Sequence, residues 1–161
     1  MIKVSTDIKL IGNKKVTKKI KSLLSKVESG KKSLADTFYK HPKNDIKWVR
    51  ENIGCQCLEI NANKSSFQIT SCDHVPIYFL SHLWNILSQT DPDCILEVRF
   101  KSESNDPIGA FVFVDGIYAI NDDDLDPDED KEYINKRIEE LVDKCYEELN
   151  KDEYFIIKYR E

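Results

Sequence analysis

The chain has 161 residues, a net charge of −5, 40% hydrophobic residues and 33% charged residues. This length fits one domain over residues 1–161, with a core that needs neither a metal ion nor disulfides. No apolar run approaches the roughly 20 residues of a membrane span. The amino terminus has no apolar signal core, so we expect a cytoplasmic protein.

The charge is divided unevenly along the chain. Residues 1–50 contain 14 Lys/Arg and 4 Asp/Glu, whereas residues 51–161 contain 10 and 25. Such an asymmetry indicates a charged partner or two faces of one molecule that meet each other. It is equally typical of a surface that is only well solvated.

The first third of the chain predicts one strand followed by helices. Apolar residues alternate over 2–11, as in a half-buried strand. An apolar stripe at helical spacing follows Asn13, the predicted N-cap. Residues 31–45 predict a loop with at most one helical turn, and residues 45–52 predict a short helix.

The middle of the chain predicts a hairpin, a helix and a second hairpin. Residues 55–61 and the run around Phe67 and Ile69 alternate as paired strands. Pro76 opens the next helix. Two apolar strands follow, at 95–100 and 108–114.

The last third is acidic. The dipeptide Asp115-Gly116 indicates a tight turn. We predict an acidic loop over 121–130, a long helix over 130–150, and a short closing strand from Tyr154.

This order predicts an α+β fold, specifically a ferredoxin-like two-layer sandwich. Its antiparallel sheet would carry helices on one face, with the acidic C-terminal helix and its leading loop as an appendage. The inward positions predict a core that consists of Val4, Ile8, Leu10, Ile20, Leu24, Leu58, Ile60, Phe67, Ile69, Leu80, Leu83, Val98, Phe100, Phe111 and Phe113. For the long helix, the inward positions are Ile134, Ile138, Leu141, Val142 and Cys145.

Several short motifs between residues 45 and 118 point to a known family. They are Trp48 followed by Asn52-Ile53-Gly54, then Phe67-Gln68-Ile69-Thr70-Ser71, Pro76 ahead of Leu80 and Leu83, Ile95-Leu96-Glu97-Val98-Arg99-Phe100, Gly109-Ala110-Phe111 and Asp115-Gly116. With these motifs the segment resembles the YubB-like ferredoxin-like domain family of plasmid- and phage-borne proteins. The resemblance implies the ferredoxin-like fold and a mobile-element origin, and it implies no catalytic residues.

Cysteine and histidine residues cluster in the predicted hairpin. Cys55 and Cys57 alternate on one strand, and Cys72 and His74 end its partner. If the hairpin closes around Lys64-Ser65, Cys57 lies opposite Cys72 and Cys55 lies opposite His74. Three Cys and one His can form a tetrahedral set of zinc ligands. Paired ligands that are separated by a single residue on a strand are, however, atypical of zinc knuckles. We therefore predict that these residues fill the sheet and bind no metal.

No enzyme signature is present. The alternating carboxylates from Asp122 to Asp128 lack the Gly and Glu that an EF-hand loop needs, because Pro127 and Tyr133 occupy those positions. There is no Gly-rich phosphate loop, and no nucleophile has a recognisable base. We expect a non-enzymatic protein without a cofactor.

Two charged surfaces are the candidate sites. We expect the acidic one to bind a basic surface on a host or defence protein that handles nucleic acid, as an anti-defence inhibitor of the anti-CRISPR-like kind would do. Its predicted residues are Asp122, Asp123, Asp124, Asp126, Asp128, Glu129, Glu139, Glu140, Asp143 and Glu147. The alternative is a nucleic-acid-binding module that uses Lys14, Lys15, Lys18 and Lys19 on the first helix. A homodimer is left open.

Overall fold

The computed structural model describes residues 1–28, 33–43, 45–62 and 66–157. Within them lie a seven-stranded sheet and five helices. The strands are β1 (Lys3–Ile11), β2 (Cys57–Ala62), β3 (Ser66–Cys72), β4 (Ile95–Ser102), β5 (Ile108–Val114), β6 (Ile117–Asp123) and β7 (Phe155–Ile156). The helices are α1 (Lys14–Glu28), α2 (Leu34–Phe38), α3 (Ile46–Asn52), α4 (Ile77–Ser88) and α5 (Lys131–Asn150).

The strands lie in the order β2-β3-β1-β4-β5-β6-β7, and each neighbouring pair is antiparallel. Thr6 at the middle of β1 is paired with Ile69 on one side and with Phe100 on the other. The prediction of an α+β fold with an antiparallel sheet is confirmed. The sheet is larger than that of a ferredoxin-like fold.

Helix starts follow from local side-chain chemistry. The Asn13 side chain accepts a hydrogen bond from the backbone N–H of Val16 at 3.0 Å. The Asp45 carboxylate accepts one from the backbone N–H of Trp48 at 2.7 Å. Both residues satisfy donors that the first turn of a helix leaves open, which confirms the predicted starts of α1 and α3.

The first core lies between the sheet and helices α1 to α4. It contains the predicted residues Val4, Ile8, Leu10, Ile20, Leu24, Phe67, Ile69, Leu80, Leu83, Val98, Phe100, Phe111 and Phe113, all of them buried. Ile60 is only partly buried, and the side chain of Leu58 lies outside the described residues. The face assignment of the alternating strands is therefore confirmed at these positions.

A second core lies on the opposite face of the sheet, under α5. All five predicted inward residues of α5 are buried there, and they pack against Ile108, Ala110 and Val112 of β5. The prediction of helices on one face is correct for α1 to α4 only. The reason is that β5 is apolar on both faces, so it needs cover on each side.

Strand β6 was not predicted. Asp115 and Gly116 both have positive φ, at 51° and 75°, and they join β5 and β6 in a tight hairpin. Asp122 and Asp123 therefore belong to β6, and the acidic loop shortens to residues 124–130.

Candidate functional site

The acidic segment is held in place by one buried amide. Asn105, in the loop between β4 and β5, is 4% exposed and donates from Nδ2 to the carbonyls of Asp126 and Pro127 at 3.0 and 3.2 Å. The backbone N–H of Leu125 donates back to the Asn105 carbonyl at 2.9 Å. Asn105 has a φ of 61°, a conformation that asparagine adopts more readily than most residues. These bonds give the segment a defined path along the end of the sheet.

The carboxylates at the start of this segment lie in different electrostatic environments. The pKa of Asp124 is raised, because its side chain hydrogen-bonds to the Asp106 carboxyl and lies near the charges of Asp122 and Asp123. The pKa of Asp123 is lowered, because Arg137 of α5 donates to it at 2.8 Å. Asp123 therefore forms an ion pair within the chain, whereas Asp124 is surrounded by other carboxylates, those of Asp106, Asp122 and Asp123.

Two of the predicted residues on α5 are also paired internally. Glu139 accepts two hydrogen bonds from Arg99 of β4, at 2.6 and 3.1 Å, and its pKa is lowered by that guanidinium. Glu140 accepts one from Arg137 at 3.0 Å. Glu139 thus joins α5 to the sheet. The predicted acidic residues that are exposed and have no described ion pair are Asp122, Asp124, Asp126, Asp128, Asp143 and Glu147.

A polar network beneath α5 was missed by the sequence reasoning. Arg99 also donates to Glu97 at 3.1 Å, and the Tyr146 hydroxyl donates to the other oxygen of Glu97. Burial and the hydrogen bond to Glu97 raise the pKa of Tyr146. The alternation of Glu97 and Arg99 on one strand face was a visible signal, but their partners on α5 are 40 and 49 residues away.

The lysine-rich helix is only partly free. Lys14, Lys15 and Lys18 are exposed on α1. Lys19 is half-buried and donates to the Thr90 hydroxyl at 3.1 Å and to the Ile86 carbonyl at 3.4 Å, at the C-terminal end of α4. Lys19 therefore has a structural role, because a cation is favourable at a helix C-terminus.

The cysteine and histidine residues do not meet as the simple hairpin predicts. The register pairs Glu59 with Thr70, as expected for a turn around residues 64–65, but a bulge then pairs Cys57 with Ser71 instead of Cys72. Cys55 is buried and its thiol contacts the carbonyl of His74 at 3.1 Å. The Cys57 side chain lies outside the described residues.

The remaining thiols are buried. Burial raises the pKa of Cys94 to about 11, and it also raises the pKa of Cys145. Neither thiol has the lowered pKa of a reactive cysteine. Within the part of the chain that the structure describes, no three Cys, His, Asp or Glu side chains are grouped so as to hold a metal ion.

Comparisons with protein-family models, with curated proteins and with solved structures find no match to this chain. Over residues 1–28, 33–43, 45–62 and 66–157, no helix combines the length and the apolar character that crossing a membrane requires.

Proposed function

We propose that this protein is a non-enzymatic binding protein, which uses its acidic surface to occupy a basic surface of a protein that handles nucleic acid. The observation that carries the proposal is the anchoring of the acidic segment by Asn105. A segment with a fixed path presents its carboxylates without losing further backbone freedom on binding. The many carboxylates on this surface would also attract a basic partner electrostatically and so speed its association.

The exposed carboxylates define the contact surface. Asp122, Asp124, Asp126 and Asp128 follow one another from the end of β6 into the anchored segment. Asp143 and Glu147 extend the charge along α5 as exposed i, i+4 neighbours. Such a row resembles the phosphates of a nucleic-acid strand in charge, which suits a channel lined with Lys and Arg.

The proposal includes a fold relationship. The order β2-β3-β1-β4, with α1 and α4 in the connections, supports a ferredoxin-like core to which β5, β6, β7 and α5 are added. Such a core would suit the relation to YubB-like domains, and through it an origin in a phage or plasmid. The partner would then be a host or defence complex.

The experiment is capture of a partner from bacterial lysate treated with nuclease. We expect an excess of duplex DNA to displace the captured protein, because the two ligands would share one basic surface. Changing Asp122, Asp124, Asp126 and Asp128 to Asn should abolish capture, whereas changing Lys14, Lys15 and Lys18 to Gln should leave it intact. Capture that survives the Asn changes, or that DNA does not displace, contradicts the proposal.

A second variant separates the effect of the number of carboxylates from the effect of the fixed path of the acidic segment. Asn105→Gly retains every carboxylate and tolerates the positive φ, but it removes both side-chain hydrogen bonds to the segment. We expect capture to weaken at least tenfold, with faster amide exchange at Leu125. Unchanged capture by this variant would show that the acidic composition of the segment is sufficient for binding without the anchor at Asn105.

A further inference from the structure

The outward side of α1 carries a row of lysines, which we call the lysine face: Lys14, Lys15, Lys18 and Lys21. All four are exposed, and none forms an ion pair with a described residue. Lys14, Lys18 and Lys21 follow the i, i+4, i+7 spacing of one helical line, and they span about 10 Å along the axis. Exposed Ser22 and Ser25 lie on the same side.

This placement is unfavourable within the isolated molecule. Like charges at i and i+4 repel each other on a helix surface. Lys14 and Lys15 also lie in the first turn of α1, which contains no acidic residue and where the helix dipole disfavours cations. Asp91 offsets part of that dipole by accepting from the backbone N–H of Asn13 at 2.8 Å. A bound polyanion would relieve the repulsion along the rest of the face.

The composition of the lysine face favours phosphate over a protein partner. Protein interfaces are enriched in aromatic residues, and the described part of α1 exposes no large hydrophobic side chain. Phosphate oxygens accept hydrogen bonds from lysine and serine alike. We propose that α1 binds the phosphate backbone of nucleic acid through the lysine face.

The binding would be independent of base sequence. Base readout uses arginine, asparagine or glutamine at base edges, and single-stranded binding uses aromatic platforms. The described residues of the lysine face include none of these. The uncovered side of β1 and β3 does not supply a platform either, because it carries polar side chains such as Ser5, Asp7, Gln68 and Thr70. The expected phosphate contacts are therefore those of the four lysines of the lysine face.

The lysine face is distinct from the surface of the proposed function. Helix α1 packs on the first core and α5 packs on the second core, on the opposite side of the sheet. A molecule could therefore bind nucleic acid on one face and a basic protein on the other. Failure of one activity would leave the other testable.

The test measures fluorescence anisotropy of a labelled 20-base-pair DNA duplex with the full chain between 50 and 200 mM NaCl. Each phosphate neutralised contributes about 0.9 to the slope of log affinity against log salt. Four contacts predict a slope between −3 and −4, and hence about a 100-fold loss of affinity over this range. A duplex of different sequence should give the same affinity.

Variants assign the contact to the lysine face. Changing Lys15, Lys18 and Lys21 to Gln should reduce the slope to about −1. The matched control changes three exposed lysines of α5, Lys131, Lys136 and Lys144, to Gln. It removes the same charge and should retain the slope of the unchanged protein.

Three results would overturn the proposal. One is the absence of duplex binding at 50 mM NaCl by a protein whose circular dichroism shows that it is folded. Another is an equal loss in the control variant, which would mean that net charge alone acts. The third is salt-sensitive self-association in sedimentation that the lysine changes abolish while duplex binding persists, which would assign the lysine face to a second copy of the chain.

Discussion

Two buried polar side chains of this protein each contain an oxygen atom that has no hydrogen-bond partner among the described residues. Asn105 donates twice to the acidic segment, and those bonds offset the cost of burying its NH2 group, whereas its Oδ1 atom is unsatisfied. Thr6 is wholly buried between Val4 and Ile8 on the core side of β1, and its hydroxyl has no partner among the described residues. An unsatisfied buried hydroxyl reduces the free energy of unfolding.

Thr6→Val should therefore stabilise the protein. Valine has nearly the same shape and lacks the hydroxyl, so we expect the free energy of unfolding to rise by about 1–3 kcal/mol in urea denaturation. The matched control is Thr70→Val on the other face of the sheet, where the side chain is half-buried and near solvent. A loss of stability in Thr6→Val would show that the hydroxyl is satisfied in the native protein.

At the scale of elements, periodicity in the sequence predicts helices and their buried stripes well. The five inward positions of α5 are all buried as expected. The face of the sheet against which α5 packs was not predictable from that stripe, because an apolar stripe does not specify which surface covers it. The apolar run of β5 was the visible signal that both faces needed a helix.

The candidate site was predictable in composition but not in pairing. The carboxylates are directly visible in the sequence. The strand β6 was not predicted, because its C-terminal end is acidic and Asp is disfavoured in strands. Arg99 pairs Glu139 and Arg137 pairs Asp123, whereas Asn105 holds the backbone of the segment that carries the free carboxylates. These three contacts join residues that are 14 to 40 positions apart. Contacts of that kind depend on the tertiary arrangement.

The packing of α5 predicts that it unfolds together with the rest of the molecule. Leu141→Ala and Leu83→Ala each remove a fully buried side chain, one from each core, and each should cost about 2–5 kcal/mol. Tyr133→Ala on the exposed side of α5 should cost under about 0.5 kcal/mol.

The measurement compares two probes of urea denaturation. Trp84 is buried in the first core and Trp48 packs against it, so both report its unfolding by fluorescence, whereas circular dichroism reports all helices. Coincident transitions in Leu141→Ala are expected. If that variant loses helical signal while the tryptophan transition stays at its original midpoint, α5 unfolds as a separate unit.

At the scale of the whole molecule, the charge asymmetry of the chain becomes an asymmetry between two faces. The described residues from α1 to α3, 14–28, 33–43 and 45–52, contain 10 Lys/Arg and 4 Asp/Glu. The span 122–150, which leads into and includes α5, contains 4 and 13. Helices α1 and α5 lie on opposite sides of the sheet. The net charge of −5 therefore combines a positive surface on one side with a negative surface on the other, and each surface produces its own electrostatic field.

Separated fields predict that the protein binds both cation- and anion-exchange resins at pH 7. The helix axes on the two sides of a three-layer arrangement are roughly 20 Å apart. At about 50 mM salt the screening length lies between the values of about 10 Å at 0.1 M and 30 Å at 0.01 M, so each resin interacts mainly with the nearer face. Changing Lys15, Lys18 and Lys21 to Gln should abolish retention on the cation exchanger, whereas the Lys131, Lys136 and Lys144 control should still be retained. Passage of the unchanged protein through the cation exchanger at this salt would show that the acidic face dominates the field around the whole molecule.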